Sequence, residues 1–194
     1  MSHIKYSTKA LVIDDFESGE SDKSFLILTE DFGLIYASAK SIRSLSSKLR
    51  YSLQKLSVLE VVLVRGKTGW KITNTSHFYD LSKSFLDDGE KERVFQKIIL
   101  LVKRFIAGEE RNNYLFDIII ETAKALEKNN NGYDLIETLA VLRIMDSLGY
   151  IKNPSSLSPF LGGINFDEEM LNSIVPQKSV AIYEINRALE ESHL

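Results

Sequence analysis

The chain of 194 residues carries 24 basic and 27 acidic side chains and contains no cysteine. Its length fits one large domain or two small ones, since a typical domain has about 100–150 residues, and the lack of cysteine excludes disulfides and thiolate metal sites. The slight acidic excess argues against attraction of the whole surface to nucleic acid but leaves room for a local basic patch. No apolar run approaches the roughly 20 residues that span a bilayer, and the N-terminus lacks the apolar core of a signal peptide, so we expect a cytoplasmic protein without membrane contact.

Short apolar runs bounded by turn-forming residues fill the chain up to about residue 79 and predict strands. The runs are TKALVID, SFLILTEDFGLIYAS, SVLEVVLVRG and GWKITNTS. The segment LRYSLQ alternates, with Leu49, Tyr51 and Leu53 on one side, which predicts a further half-buried strand. About five strands joined by short turns favour a five-stranded barrel such as the OB-fold.

Helical spacing replaces strand alternation after residue 79. Apolar residues recur at helical spacing from Val94 to Phe105, and residues 115–126 are apolar on almost every face, which is typical of a buried helix. The segment DLIETLAVLRIMDSLGY predicts a helix in which Asp134 and Glu137 have capping-box spacing and Gly149 is the stop.

Two further helices are expected around residues 167–174 and 177–191. Together these patterns predict an α+β chain, with an OB-fold β-barrel in residues 1–79 and an α-helical bundle domain in residues 80–194. The charge changes at the same boundary, because residues 1–80 have 11 basic and 9 acidic side chains, whereas residues 81–194 have 13 and 18.

Positive charge concentrates between residues 40 and 71, where Glu60 is the one acidic residue. Lysine and arginine on a sheet surface can follow a phosphate backbone, and binding of this kind weakens steeply with salt. Tyr36 and Trp70 are candidate stacking platforms for bases, whereas Tyr51 is expected in the core. The alternative is a solvated charged face without a ligand. The basic residues predicted to hold DNA are Lys40, Arg43, Lys48, Arg50, Arg65, Lys67 and Lys71.

Catalytic and metal-binding patterns are weak in this sequence. The three histidines are too scattered for a metal pair, and the segment RGKTG at residues 65–69 lacks the spacing of a P-loop and predicts a hairpin turn. Most acidic pairs fall at predicted turns or helix starts, where carboxylates cap backbone N–H groups. We therefore expect no enzymatic activity, no cofactor and no metal site.

A series of short motifs runs through residues 7–150. Thr8 to Ile13 forms a Thr-x-Ala-hydrophobic strand, a Gly-Glu-x-Asp turn covers residues 19–22, and Ala39, Lys40 and Arg43 follow with Ser41 between them. Ser-Lys-Leu at residues 47–49 and Leu-Gly-Tyr at residues 148–150 complete the order. This order resembles the RecO family of DNA repair proteins, whose members usually have glycine where this chain has Ser41.

The resemblance implies an OB-fold followed by a helical domain, and it also implies a function. RecO-like proteins bind single- and double-stranded DNA, anneal complementary strands and act with RecR to load RecA onto DNA covered by the single-stranded DNA-binding protein, SSB. The family's helical domain receives the acidic C-terminal tail of SSB. The family's basic OB-fold surface falls here on Lys40, Arg43, Lys48 and Arg50.

The chain departs from the family after its Leu-Gly-Tyr motif. Many RecO proteins carry a four-cysteine zinc site there, and the segment LGYIKNPSSLSPFLGG has no cysteine. The chain is also shorter than is usual in the family, which suggests a reduced helical domain.

The leading hypothesis is a non-enzymatic recombination mediator that binds DNA by its backbone. Three alternatives stay open from the sequence. The basic patch would also suit an RNA-binding OB-fold module or an adaptor that reads an acidic peptide, and the acidic pairs leave a carboxylate-metal nuclease as a further alternative.

Overall fold

The computed structural model describes residues 4–44, 47–85, 88–106, 108–152 and 155–192. The chain divides into two compact units, one formed by Met1–Ser84 with Ala107–Asn113 and the other by Phe85–Ile106 with Tyr114–Leu194. The first unit is a β-barrel with two short helices, and the second is helical. The prediction from sequence did not place residues 107–113 with the barrel.

Five strands close into a barrel in the first unit. They are β1 (Lys5–Glu17), β2 (Lys23–Thr29), β3 (Gly33–Ala39), β4 (Ser57–Gly66) and β5 (Gly69–Asp80). Their order around the barrel is β1-β2-β3-β5-β4, and all pairs are antiparallel except β3 with β5. This is the five-stranded OB-fold predicted from the sequence, and the α+β class is confirmed.

Alternation along each strand fills the barrel interior with apolar side chains. On β2 and β3 the inward residues are Phe25, Ile27, Ile35 and Ala37, all buried. On β1 the alternation is interrupted by a bulge between Val12 and Asp14. Such an insertion shifts the pairing by one residue, so every β1 side chain beyond the bulge faces the side opposite to the one that simple alternation predicts.

The segment LRYSLQ is not a strand, and that prediction is wrong. Leu49–Ser52 forms a single helical turn, α1, between β3 and β4. Leu49 and Leu53 are four residues apart, so one face of a helical turn brings both side chains towards the barrel core, where Leu53 is buried. Tyr51 is 73% exposed instead of packing in the core.

A segment that follows the third helix of the chain lies against the barrel. Arg111 Nη2 is 3.2 Å from Asp31 Oδ1, and Glu109 pairs with Arg65. Gly33 has a φ of +67°, and a Cβ placed on it would lie 2.2 Å from the carbonyl oxygen of Glu110. Only glycine fits this contact, because the position demands both a left-handed backbone and the absence of a side chain.

The short helix α2 (Leu81–Ser84) ends the contiguous part of the barrel unit, and longer helices follow. The helices are α3 (Gly89–Phe105), α4 (Asn113–Lys128), α5 (Tyr133–Ser147), α6 (Glu168–Ile174) and α7 (Lys178–Glu191), with short 3₁₀ turns at Ser158–Phe160 and Val175–Gln177. The predicted helices are confirmed, and α4 is buried on most faces as expected.

The helix termini confirm most of the expected caps. The carboxylates of Asp88 and Asp167 accept backbone N–H groups at the starts of α3 and α6. The predicted capping box of α5 is wrong, because Gly132 is its N-cap and the Asp134 carboxylate pairs with Lys178. Gly149 does end α5, with a φ of +78° and its N–H donating to Asp146.

Arg143 and Tyr133 are buried polar side chains of the helical unit that bind groups in its loops. Arg143 on α5 is fully buried and donates from Nε to Phe160 O at 2.9 Å and from Nη1 to Asn165 O at 2.7 Å. The Tyr133 hydroxyl donates to Asp88 Oδ2 at 2.5 Å. Burial of Tyr133 and this hydrogen bond raise the pKa of its hydroxyl to about 12.

Candidate nucleic-acid interface

Two turns bracket the β2–β3 side of the barrel. The β1–β2 turn covers residues 18–22, and the β4–β5 turn consists of Lys67 and Thr68, which confirms the hairpin predicted for RGKTG. In OB-folds, oligonucleotides bind on the face of the second and third strands, between these two turns. Lys40 follows β3 directly, and Lys71 on β5 is the register partner of Ser38 on β3.

An exposed aromatic pair lies on the outer wall of this side. The ring centroids of Phe16 on β1 and Tyr36 on β3 are 6.0 Å apart. Tyr36 is 64% exposed and Phe16 is 42% exposed. Exposed rings near lysines are suited to stacking with unpaired bases, whose identity matters little because every base has a π-face.

Hydroxyl and ammonium groups continue the wall beside these rings. Register partners run across the sheet from Phe16 to Ser24, from Ser24 to Ser38, and from Ser38 to Lys71. The Ser24 hydroxyl and the Lys71 ammonium can contact phosphate oxygens, whereas the Ser38 hydroxyl donates to Trp70 O at 3.3 Å. We call this set the aromatic wall: Phe16, Ser24, Tyr36, Ser38 and Lys71.

Phe16 was missed by the sequence analysis for a physical reason. Simple alternation from the buried Val12 would place Phe16 inside the barrel. The bulge at Ile13 reverses that alternation and turns Phe16 outwards. A bulge of this kind leaves no clear mark in a strand as apolar as β1.

A cleft of about 420 Å³ opens at the end of the barrel next to the β1–β2 turn. The buried side chains of Phe25, Ile42 and Leu53 form its floor. Its basic lining residues are Lys23, Arg43 and Arg50, and Glu17 and Gln54 also line it. We call it the mouth cleft, and Lys23 was not among the predicted site residues.

Backbone contacts hold the loop that carries Lys40 and Arg43. The Ser41 N–H donates to Asp22 Oδ1 at 2.7 Å, and the Arg43 N–H donates to Ser21 O at 3.1 Å. Ser41 has a φ of +52°, in the left-handed region that glycine adopts with least strain. The glycine usual at this position in the resembling family is therefore explained by the backbone, and strain of this kind is often found at functional sites.

Ion pairs occupy some of the basic groups. Arg43 Nη1 lies 3.6 Å from Glu17 Oε1, and Lys23 Nζ lies 2.5 Å from Asp15 Oδ2. Lys55 pairs with Asp14 at 2.6 Å, and this hydrogen bond raises the pKa of Lys55. The predicted site residues without a carboxylate partner in the described parts of the chain are Lys40, Lys48, Arg50, Lys67 and Lys71.

Trp70 does not provide the exposed stacking platform that we expected. The side chain is 5% exposed, and its ring packs against Phe32 at 4.8 Å and Tyr6 at 5.5 Å between centroids. The Arg65 guanidinium lies 4.9 Å from the indole centroid and pairs with Glu109. The two residues therefore help to close the barrel, and Arg65 is less available to DNA than the unpaired lysines.

The described residues contain neither a metal-ligand cluster nor a membrane-spanning helix. Within the described ranges, no group of three or more His, Cys, Asp or Glu side chains is arranged to hold a metal ion. None of the helices described for this chain is both long enough and apolar enough to cross a membrane.

Comparison with known proteins gives a consistent result. The family model described as recombination protein O N terminal matches residues 1–77. A DNA repair protein RecO from Dehalococcoides mccartyi is 30% identical over 148 residues, which are 75% of this chain and 56% of that protein. The RecO of Thermodesulfovibrio yellowstonii is 29% identical over 149 residues, with 75% and 58% covered, and that of Chlorobium phaeobacteroides is 28% identical over 145 residues, with 74% and 55% covered. The chain thus spans a little over half the length of these relatives.

Proposed function

Because the chain belongs to the RecO family of DNA repair proteins, we propose that it binds single- and double-stranded DNA and acts as a non-enzymatic mediator of homologous recombination. The observation that carries the proposal is the aromatic wall between the two turns that bracket the DNA-binding face of OB-folds. Exposed rings, the Ser24 hydroxyl and Lys71, which has no carboxylate partner among the described residues, lie together there. Such a surface reads little sequence, because phosphate contacts and stacking are common to all bases.

Charge neutralisation accounts for strand annealing in this proposal. Two DNA strands repel each other through their phosphates, and lysine or arginine side chains that contact phosphates release condensed counterions. A strand held on the unpaired cations around β3 therefore repels its complement less. Its stacked bases stay accessible at their hydrogen-bonding edges, because stacking uses the faces of the bases.

Partners form the second part of the proposal. We infer that the protein acts with RecR to load RecA on SSB-covered DNA, and that the helical unit receives the acidic C-terminal tail of SSB. The helical unit has a groove of about 440 Å³ between α3, α5 and α7, lined by Leu101, Val141, Ile182, Ile185 and Leu189 among other residues. Lys97 and Lys178 also line the groove, which suits a tail that combines acidic and aromatic residues.

Both groove lysines form ion pairs within the free protein. Lys97 Nζ lies 2.9 Å from Glu137 Oε1, and Lys178 pairs with Asp134. The hydrogen bond from Lys178, together with its positive charge, lowers the pKa of the Asp134 carboxyl. An acidic tail would exchange these internal carboxylates for its own, so its affinity would depend on salt.

Salt-dependent titration of labelled single-stranded DNA tests the DNA-binding proposal. The double substitution Lys40→Glu with Arg43→Glu should abolish most binding, because it replaces two cations on the proposed path by two anions. Lys5→Glu with Lys9→Glu, both in the first half of β1, is the matched control because it changes the net charge by the same amount. Unchanged affinity and an unchanged salt slope in the double variant would defeat the proposal.

Two additional experiments test the alternatives of an RNA-binding module and a nuclease. A matched RNA oligonucleotide distinguishes a DNA mediator from an RNA-binding module, since an RNA-specific site senses the 2′-hydroxyl. Incubation of labelled DNA with magnesium or manganese tests the non-enzymatic assignment, and reproducible cleavage by the purified protein would contradict it.

A further inference from the structure

The mouth cleft has the composition of an anion site that is already occupied from within. Arg43, Arg50 and Lys23 line it together with the carboxylate of Glu17. Lys23 is engaged by Asp15 at 2.5 Å, whereas Arg50 has no carboxylate partner among the described residues. The two arginines are therefore the cations that an incoming anion would meet.

The ion pair that holds Glu17 in the cleft is weak. Its carboxylate is 3.6 Å from Arg43 Nη1, its side chain is 77% exposed, and no other ion pair of Glu17 occurs in the described ranges. An exposed pair of this kind contributes about 0–1 kcal/mol. A phosphate group that accepts hydrogen bonds from both arginines would displace it at small cost.

The shape of the cleft favours a single phosphate group with its sugar. The floor of Phe25, Ile42 and Leu53 belongs to the barrel core, so a strand can enter the cleft but cannot pass through it. The volume of about 420 Å³ lies at the small end of the range of about 300–1,000 Å³ for ligand pockets. Arginine forks suit phosphate oxygens, which they bind in bidentate fashion.

We propose that the mouth cleft is a phosphate subsite, in which Glu17 takes the place of the anion in the free protein and is displaced from Arg43 when a nucleic-acid phosphate binds between Arg43 and Arg50. The source of the phosphate rests on the proposed DNA-binding function, but the anion chemistry of the cleft does not. Glu17 thus competes with weakly bound anions such as chloride, and the cleft favours phosphate, whose oxygens can accept hydrogen bonds from both arginine forks.

The direct test uses inorganic phosphate alone. Titration of the ¹⁵N-labelled protein with phosphate, and with chloride at equal ionic strength, should shift the Nε–Hε signals of Arg43 and Arg50 with phosphate only. Glu17→Gln should bind phosphate about fivefold more tightly, which corresponds to one elementary charge near 4 Å in water. Glu30→Gln is the matched control, because Glu30 pairs with Lys9 at 3.2 Å at the opposite end of β2.

Equal shifts with phosphate and chloride, or equal phosphate affinity of Glu17→Gln and Glu30→Gln, would overturn the subsite.

An oligonucleotide titration then separates this inference from the proposed function. With the subsite intact, Glu17→Gln binds the oligonucleotide more tightly and Arg50→Gln less tightly than wild type. If Tyr36→Ala weakens DNA binding while Glu17→Gln and Arg50→Gln leave it unchanged, the DNA-binding function stands and the subsite fails. If none of the three changes it, the DNA binds elsewhere, and both the aromatic wall and the subsite fail. Oligonucleotides with a 5′-phosphate or a 5′-hydroxyl show whether the bound group is terminal or internal.

Discussion

The rings of Phe16 and Tyr36 lie 6.0 Å apart on strands that are not neighbours, with β2 between them. Both remain exposed although large aromatic side chains dominate core energetics when they are buried. Folding gains less from two rings that stay largely in water than from two buried rings, so we infer that the pair serves a ligand. This relationship leads to the first prediction.

Tyr36→Ala should weaken single-stranded DNA binding by about 1–3 kcal/mol, because base stacking on an aromatic ring contributes that much per base. Tyr36→Trp should retain the affinity. Anisotropy titration at fixed salt provides the measurement, and circular dichroism checks that the fold is intact. Tyr183→Ala, which removes an exposed tyrosine from α7, is the matched control. An effect of equal size in both alanine variants would argue against a stacking role for Tyr36.

Gly33→Ala should destabilise the barrel by roughly 2–3 kcal/mol, since it adds backbone strain and a clash with the carbonyl of Glu110. Chemical denaturation followed by Trp70 fluorescence measures the loss. Gly19→Ala separates the two causes, because Gly19 also has a positive φ, of +90°, but no atom lies within 4 Å of its added Cβ. If the two variants lost the same stability, the contact with Glu110 would contribute nothing.

Tyr133→Phe should change how stability depends on alkaline pH. The folded-state pKa of Tyr133 is raised from 10 to about 12, so the folded protein holds this proton more tightly than the unfolded chain does. The resulting stabilisation is complete below pH 10 and is lost as the pH rises towards 12. The phenylalanine variant should be less stable at neutral pH, and its deficit should shrink between pH 10 and 12.

Denaturant midpoints measured across that pH range check this prediction. Tyr183→Phe, on the exposed side of α7, is the control and should follow the wild type throughout. A constant difference between Tyr133→Phe and wild type from pH 8 to pH 12 would show that the hydrogen bond to Asp88 does not couple protonation to folding.

Ile182→Asp should reduce binding of an SSB-tail peptide at least about tenfold, because it places a charge on the apolar wall of the groove between α5 and α7. Tyr183→Asp is a closely matched control, because Tyr183 follows Ile182 on the same helix and is exposed but does not line the groove. Peptide anisotropy gives the affinities. Equal losses, or no loss in either variant, would place the tail elsewhere.

The sequence was most informative where one local signal decides the structure. Hairpins such as the one at Lys67 and Thr68, and the glycine stop of α5, depend on turn residues that can be recognised directly. The segment from Leu49 to Leu53 shows the limit, because spacing of two and spacing of four coincide over so short a stretch. A tertiary contact, the packing of Leu53 into the barrel, decides between them.

The candidate site was harder to predict than the fold, because it depends on contacts between residues that are distant in sequence. Trp70 is buried because Tyr6 and Phe32 meet it at the end of the barrel, and neither is close to it in sequence. Phe16 is exposed because of a bulge three residues earlier, and Glu17 reaches Arg43 only after β1 and the loop behind β3 have come together. The basic residues could be predicted as a group, but their partners required the fold.

Residues 108–113 form a strap against the barrel, and this strap has a consequence for how the chain can be divided. The chain crosses between the two units three times, after residues 84, 106 and 113, so the barrel unit is not a contiguous fragment. A truncation at residue 84 would remove Glu109 and Arg111 from Arg65 and Asp31 and would uncover the backbone around Gly33. Any isolated OB-fold fragment or chimera of this protein therefore has to supply the strap through a designed linker, and modular exchange at a single junction would leave the barrel incomplete.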